Sequence, residues 1–196
     1  MAGTDLVLAS GSAARRALLE AACVPVRVVR PEVDEAAVKR ALRHAGPDAA
    51  ALRLAEIKAL AVSLPGATVI GADQILVCGD RWFDKPADMA QARAHLQALR
   101  GRPHELVTAA VLVRDGVVLW RHVARPRLAV RAFSDAFLDT YLRAEGEILL
   151  STVGAYRLEA RGIHLFDRVD GEHAAILGLP LLPLLAELRQ QGMLPS

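Results

Sequence analysis

Apolar runs alternate along the chain with stretches of three-to-four-residue periodicity, and glycine, proline or a capping residue stands at nearly every boundary. Leu6-Val7-Leu8-Ala9 reads as a short buried strand. It breaks into Ser10-Gly11-Ser12, a turn that caps a helix running through Arg15, Leu18, Leu19 and Ala22. Residues 26–29 read as a second strand, and residues 48–64 as a helix stopped by Pro65-Gly66. Residues 68–78 are apolar on both faces, the pattern of a central strand. Asp88 caps the next helix with Gln91 as its capping-box partner; Ala92, Leu96 and Leu99 share one side, and Gly101 ends it. Residues 105–113 and 117–133 read as strands around the turn Arg114-Asp115-Gly116. Ser134 opens a helix to about residue 144, short strands follow around Tyr156 and Leu165, and a last helix starts at Pro180 or Pro183 and runs to Gly192. Helices and strands alternate, but the middle holds adjacent strands, which predicts a mixed, twisted α/β sheet with flanking helices.

The 196 residues suit one ordinary domain with room for two lobes, and no repeat or low-complexity linker divides them. A hydrophobic fraction of 53% beside 23% charged residues excludes a disordered chain. No apolar run approaches the roughly 18 residues of a membrane span, and the first residues carry Asp5 and no basic stretch. The expectation is a cytoplasmic protein with no membrane partner. A formal charge of +2 with 4% aromatics lacks the clustered basic and aromatic surface of a nucleic-acid binder. Cys23 and Cys78 sit in apolar contexts and read as structural thiols, and the six histidines show no metal-ligand spacing.

Four places carry candidate chemistry. Ser10-Gly11-Ser12 ahead of a helix aims free N–H groups and the helix dipole at one spot, where Arg15 would close a phosphate site as a bidentate fork. A serine cap followed by solvated arginines reads the same residues without a ligand. Asp73 lies mid-strand between Ile70 and Leu76, where an unpaired carboxylate is costly, so it must be protonated, paired or metal-bound; Gln74 points to the opposite face. Lys58 falls on the core-facing stripe of helix 48–64 with Ala51, Leu54, Ala55 and Val62, so its ammonium either snorkels outward or meets an acid. Lys85, stiffened by Pro86, and the acidic run from Glu32 to Glu35 read as solvated loops, or as a fixed cation and a metal-ligand pair.

Together and in order these pieces resemble the Maf family of nucleoside triphosphate pyrophosphatases, from Leu6 to Gly192. The matching blocks are Leu-Ala-Ser-Gly-Ser-Ala-Ala-Arg-Arg-Ala-Leu-Leu (8–19), Pro-Glu-Val-Asp-Glu (31–35), Ala-Glu-Ile-Lys-Ala (55–59), Ile-Gly-Ala-Asp-Gln (70–74), Asp-Lys-Pro (84–86), Leu-Arg-Gly-Arg-Pro-His-Glu (99–105), Val-Gly-Ala-Tyr (153–156) and Ile-Leu-Gly-Leu-Pro-Leu (176–181). The resemblance implies a single domain over 1–196 with an inosine-triphosphatase-like fold, two lobes around a cleft, and a homodimer. It implies hydrolysis of nucleoside triphosphates to the monophosphate and pyrophosphate with a divalent metal, Mg or Mn. By position, Ser12 and Arg15 match the phosphate-binding motif, and Asp73, Lys58, Lys85 and Glu35 match the catalytic cluster. Asp73 matches the family's proton acceptor or, together with Glu35, would hold the metal. Ala14, Gln74 and Glu159 stand at the positions tied to base choice; Gln74 and Glu159 look like the branch acting on 7-methylated guanosine triphosphate. Two departures concern the first motif: Ala13 replaces a proline, and Ala14 stands where that branch carries tryptophan. The alternative implied by the family name is a nucleotide-binding regulator of septum formation without significant turnover.

Overall fold

The computed structural model describes residues 5–62 and 64–195, so Ser63 lies outside the described residues. Strand β1 (Leu6–Ala9) runs straight into the Ser10-Gly11-Ser12 turn, and the Ser12 hydroxyl accepts the Arg15 N–H to open α1 (Ala13–Ala21). After β2 (Arg27–Val29), Asp34 caps α2 (Glu35–Leu42), and Gly46-Pro47 starts α3 (Pro47–Leu60). Then come β3 (Thr68–Cys78), β4 (Arg81–Phe83) and α4 (Met89–Leu99), where Asp88 accepts the Gln91 N–H at 2.7 Å and Gln91 Oε1 accepts the Ala87 N–H at 2.6 Å. Next are β5 (Pro103–Arg114), β6 (Val117–Ala124), β7 (Arg127–Val130) and the Ser134-capped α5 (Asp135–Glu145). Short 3₁₀ segments lead to β8 (Phe166–Asp170), the one-turn α6 (His173–Ile176) and α7 (Leu181–Gln190).

These elements form two compact units, and β3 and β5 contribute residues to both. The first unit holds residues up to Gln74, Thr108–Ala124 and Glu172 onward. Here β1 lies between β2 and β3, parallel to both, with Leu8 opposite Val28 and Ile70; β5 and β6 pair antiparallel. Sandwiched by helices, β1 and the start of β3 are apolar on both faces. Leu6, Leu8, Leu19, Ile70, Leu112, Leu184 and Leu188 form the core against which α1 and α7 pack.

Helix α3 approaches β3 more closely than side chains normally allow. Its inner stripe is mostly alanine, with Ala51, Ala55 and Ala59 buried at four-residue spacing. Gly71 on β3 has no Cβ, and a methyl group there would lie 2.1 Å from the Ala55 carbonyl oxygen and 2.9 Å from the Ala59 Cβ. Glycine and alanine thus let one backbone rest on the other.

The second unit comprises Ile75–Val107 and Arg125–Gly171. Within it β4 pairs with Leu76–Cys78, β7 with Pro103–Glu105, and β8 with β7, all antiparallel. His104 and Tyr156 share a hydrogen bond of 2.8 Å, and Phe166 packs edge-on against the Tyr156 ring. Burial alone lowers the His104 pKa to about 4, and burial followed by the nearby Tyr141 raises that of Tyr156.

The mixed α/β class is as expected; several boundaries differ. The strand expected over 117–133 is two strands, because Arg125-Pro126 cannot continue the ladder. The strand expected around Tyr156 is a 3₁₀ turn through Gly154, whose φ of +80° no strand adopts. The acidic run is the start of a helix: Asp34 is a cap and Glu35 the first residue of α2. Helix α3 stops at Leu60 rather than 64. Cys78 is buried as a structural thiol should be, but Cys23 is exposed at a turn where its φ is +54°.

Candidate active site

The first unit brings Asp73, Lys58 and Glu35 into one cluster. Lys58 lies in the last turn of α3, on the stripe that meets β3, and the glycine two residues before Asp73 is what allows the approach. Its Nζ donates to Asp73 Oδ1 at 2.6 Å and lies 2.8 Å from Glu35 Oε1 at the start of α2. The Lys58 and Asp73 side chains are 7% and 4% exposed, whereas Glu35 is 48% exposed, so one ammonium bridges a buried acid and a wet one. The core-facing lysine therefore meets an acid instead of snorkelling. Asp73 Oδ2 is buried with no hydrogen-bond partner. A buried carboxylate oxygen left bare is costly, and it is the free acceptor at the centre of the cluster.

On the other face of β3, Arg15 is buried and held at three points. Its Nε donates to the Gly178 carbonyl at 2.7 Å, and its Nη1 to Ser10 Oγ at 3.1 Å and the Ala72 carbonyl at 3.0 Å. Both edges of the guanidinium that would form a bidentate fork have lost a donor to the protein, which leaves Nη2 for a ligand. Burial lowers the Arg15 pKa, opposed by the charges of Asp73 and Glu35, so its field reaches both acids. The Ser12 Oγ accepts the Arg15 N–H as the helix cap, which leaves its O–H to donate, and Ala14 is half-buried in the first turn of α1.

Gln74 faces away from Asp73 and is anchored as well. Its Nε2 reaches Thr108 Oγ1 at 2.8 Å and the carbonyls of Ala175 and Ile176 at 3.0 and 3.1 Å. Sequence reading assigned no role to Ser10, Thr108 or Gly178, whose partners stand up to 163 residues away in the chain. Ser10 was named only as part of the turn.

A metal would find its protein ligands in the two acids that flank Lys58. Among the described residues no three of His, Cys, Asp and Glu gather to hold an ion. Magnesium and manganese take oxygen ligands and commonly use one or two carboxylates plus substrate phosphates, so the bare Asp73 Oδ2 and the accessible Glu35 fit such an ion.

The sequence profile of the family described as Maf-like protein matches residues 5–191. The chain belongs to the Maf-like family. A nucleoside triphosphate pyrophosphatase of Granulibacter bethesdensis is 50% identical over 193 residues, covering 96% of this chain and 98% of that protein. A 7-methyl-GTP pyrophosphatase of Mesorhizobium japonicum is 50% identical over 191 residues, covering 95% and 96%. A solved nucleoside-triphosphatase / dITP/XTP pyrophosphatase of Mycobacterium abscessus covers 98% of both chains at 17% identity with a TM-score of 0.39, too loose a likeness to compare folds by. No helix among the described residues of this Maf-like chain is long and apolar enough to cross a membrane.

The remaining Maf-like positions lie in the second unit. Lys85 is exposed in the loop between β4 and α4. Glu159 pairs with Arg157 Nε at 3.2 Å, and Arg157 Nη1 also lies 3.5 Å from the buried Glu145.

Proposed function

We propose that this Maf-like protein hydrolyses nucleoside triphosphates between the α- and β-phosphates, releasing the monophosphate and pyrophosphate. The observation that carries the reading is Asp73: a buried carboxylate tied through Oδ1 to Lys58 while Oδ2 accepts from nothing. The names borne by relatives with 50% identity across nearly the whole chain support the same reaction.

Water attacks the α-phosphorus and gives its proton to Asp73 Oδ2, or to solvent when that oxygen is a metal ligand, and the bond to the bridging oxygen breaks, with charge building on the pyrophosphate. Lys58 orients Asp73 through Oδ1, and Arg15 Nη2 neutralises a phosphate oxygen. Lys85 keeps the role the resemblance gives it, a cation for the leaving group. The charges near Asp73 argue for a divalent ion. Lys58 and Arg15 are matched by Asp73 and Glu35, so a triphosphate bringing about four negative charges needs another cation. Magnesium or manganese on Asp73 and Glu35 would supply it and acidify a bound water.

For base choice, the nitrogen of Gln74 is spent on the protein, and only its oxygen is left to offer. Glu159 also only accepts. An acceptor at either position suits the N1–H or the amine of guanine, or of 7-methylguanine, over the carbonyl-rich edge of thymine. Ala14 adds space and no stacking ring. The enzyme is read as a cytoplasmic homodimer, a state that light scattering measures.

Asp73→Asn tests the reading. Expected is a folded protein that binds nucleotide and loses turnover by about two to four orders of magnitude, measured as pyrophosphate release with magnesium or manganese present and after chelation. Full turnover in the variant removes Asp73 from the chemistry; full turnover in chelator removes the metal. Nucleotide binding without any turnover by the parent protein would favour the regulator.

A further inference from the structure

Thr108 has no part in the reaction above, yet it ties together three segments of the first unit. It is fully buried on β5. Its hydroxyl donates to the Ala175 carbonyl at 2.9 Å and accepts from Gln74 Nε2 at 2.8 Å. That amide nitrogen also lies 3.0 Å from the Ala175 carbonyl and 3.1 Å from that of Ile176. Backbone carbonyls only accept, so the group of Gln74 that faces them has to be the nitrogen; turned over, three oxygens would meet. The orientation is thus dictated by chemistry, and two side chains from neighbouring strands clamp the single turn of α6.

The clamp leads to Arg15. The α6 turn closes through Gly178 N–H to Ala175 O at 3.1 Å and Leu179 N–H to Ala174 O at 3.0 Å. Gly178 follows at φ +106°, a conformation that only glycine adopts readily. Its carbonyl then receives Arg15 Nε–H at 2.7 Å, and a Cβ on Gly178 would stand 3.3 Å from that nitrogen. An arginine side chain left free gives up rotamer entropy when a ligand immobilises it. One already pinned on Nε and Nη1 gives up little, and binds a phosphate more tightly for the same contact.

We propose that Thr108 is a positioning residue for triphosphate binding: through the Ala175 carbonyl and the turn to Gly178, it sets the direction of the Arg15 guanidinium and so presents Nη2 to a phosphate. The proposal rests on the reading that Arg15 meets the triphosphate.

The test is a cycle of four proteins: wild type, Thr108→Val, Arg15→Ala and the double variant, with Thr108→Ser as rescue. Steady-state kcat and KM are measured for GTP with magnesium. Valine keeps the shape of threonine and removes the hydroxyl. Expected is a KM about tenfold higher with kcat within about threefold, the size of one lost hydrogen bond. Serine should return KM to within about twofold. In the Arg15→Ala background the valine should make no further difference, because the residue it acts through has gone. An equal rise of KM in both backgrounds, or no rise in the parent, overturns the proposal. If Thr108→Val does not fold, Thr108→Ala takes its place in the cycle. If the wild type turns over no nucleoside triphosphate, the functional reading fails instead. The same four proteins are then titrated calorimetrically with inorganic tripolyphosphate, where coupling between the two sites supports the positioning role and additivity overturns it.

Discussion

Replacing Lys58 by methionine removes the charge that bridges Asp73 and Glu35 while keeping most of the length and volume of the side chain. Methionine packs adaptably, so little of the effect comes from lost contacts. What remains is Asp73, 4% exposed, with neither oxygen paired. Taking one partner out of a buried ion pair costs roughly 3–5 kcal/mol. Glu35 is 48% exposed and turns to water, so it adds little. A loss of about 3 kcal/mol lowers the melting midpoint by roughly 6–12 °C for a chain of this length. Thermal and urea unfolding of wild type, Lys58→Met, Asp73→Asn and the double variant measure it. The double variant buries an amide without charge, so it should recover about 1–2 kcal/mol of the single lysine variant's loss. The reasoning is refuted if Lys58→Met melts within about 2 °C of wild type, or if Asp73→Asn deepens its loss.

Gly71→Ala should be among the most damaging changes in the molecule, because the new methyl would lie 2.1 Å from a backbone oxygen that has no rotamer to escape into. We expect a loss of about 3 kcal/mol or more, or no soluble protein, and a wild-type melting curve would contradict the close approach. His104 predicts a pH slope: burial lowers its pKa to about 4 in the folded chain, against about 6.5 unfolded. The unfolded chain then binds the extra proton between those values, so this contribution is intact above about pH 6.5. It is lost, on the order of 3 kcal/mol, as pH falls through about 4. Urea midpoints of wild type and His104→Gln over that range should converge towards the acid end, and parallel curves would exclude the histidine. Glu159→Gln should shift the substrate profile towards pyrimidine triphosphates in a panel assay; an unchanged profile takes Glu159 out of base choice.

Much of the site was legible because burial makes charge conspicuous. Lys58 on an apolar helical stripe and Asp73 inside an apolar strand have to find each other or something like each other, and they do, at 2.6 Å. The helix at Glu35 went unread although Val38, Ala41 and Leu42 stand at helical spacing, because the run is only eight residues long and its acidic start, with none of its residues fully buried, reads equally as a solvated loop. The spending of Arg15 on Gly178 and of Gln74 on Ala175 and Ile176 was equally invisible. Those acceptors are main-chain carbonyls, which every residue has, so side-chain identity says nothing about which of them will be in reach. Pro126 shows the converse: a visible breaker that should have divided the strand read across it.

The contact between Gly71 and the Ala55 carbonyl also has a mechanical consequence. Side chains at a joint can change rotamer and absorb displacement, whereas main chain against main chain has almost no slack. The span from Lys58 to Asp73 is therefore set by the peptide framework itself. It should hold as temperature changes and as distant core residues are exchanged, so adapting this enzyme to heat or cold would fall to other parts of the chain.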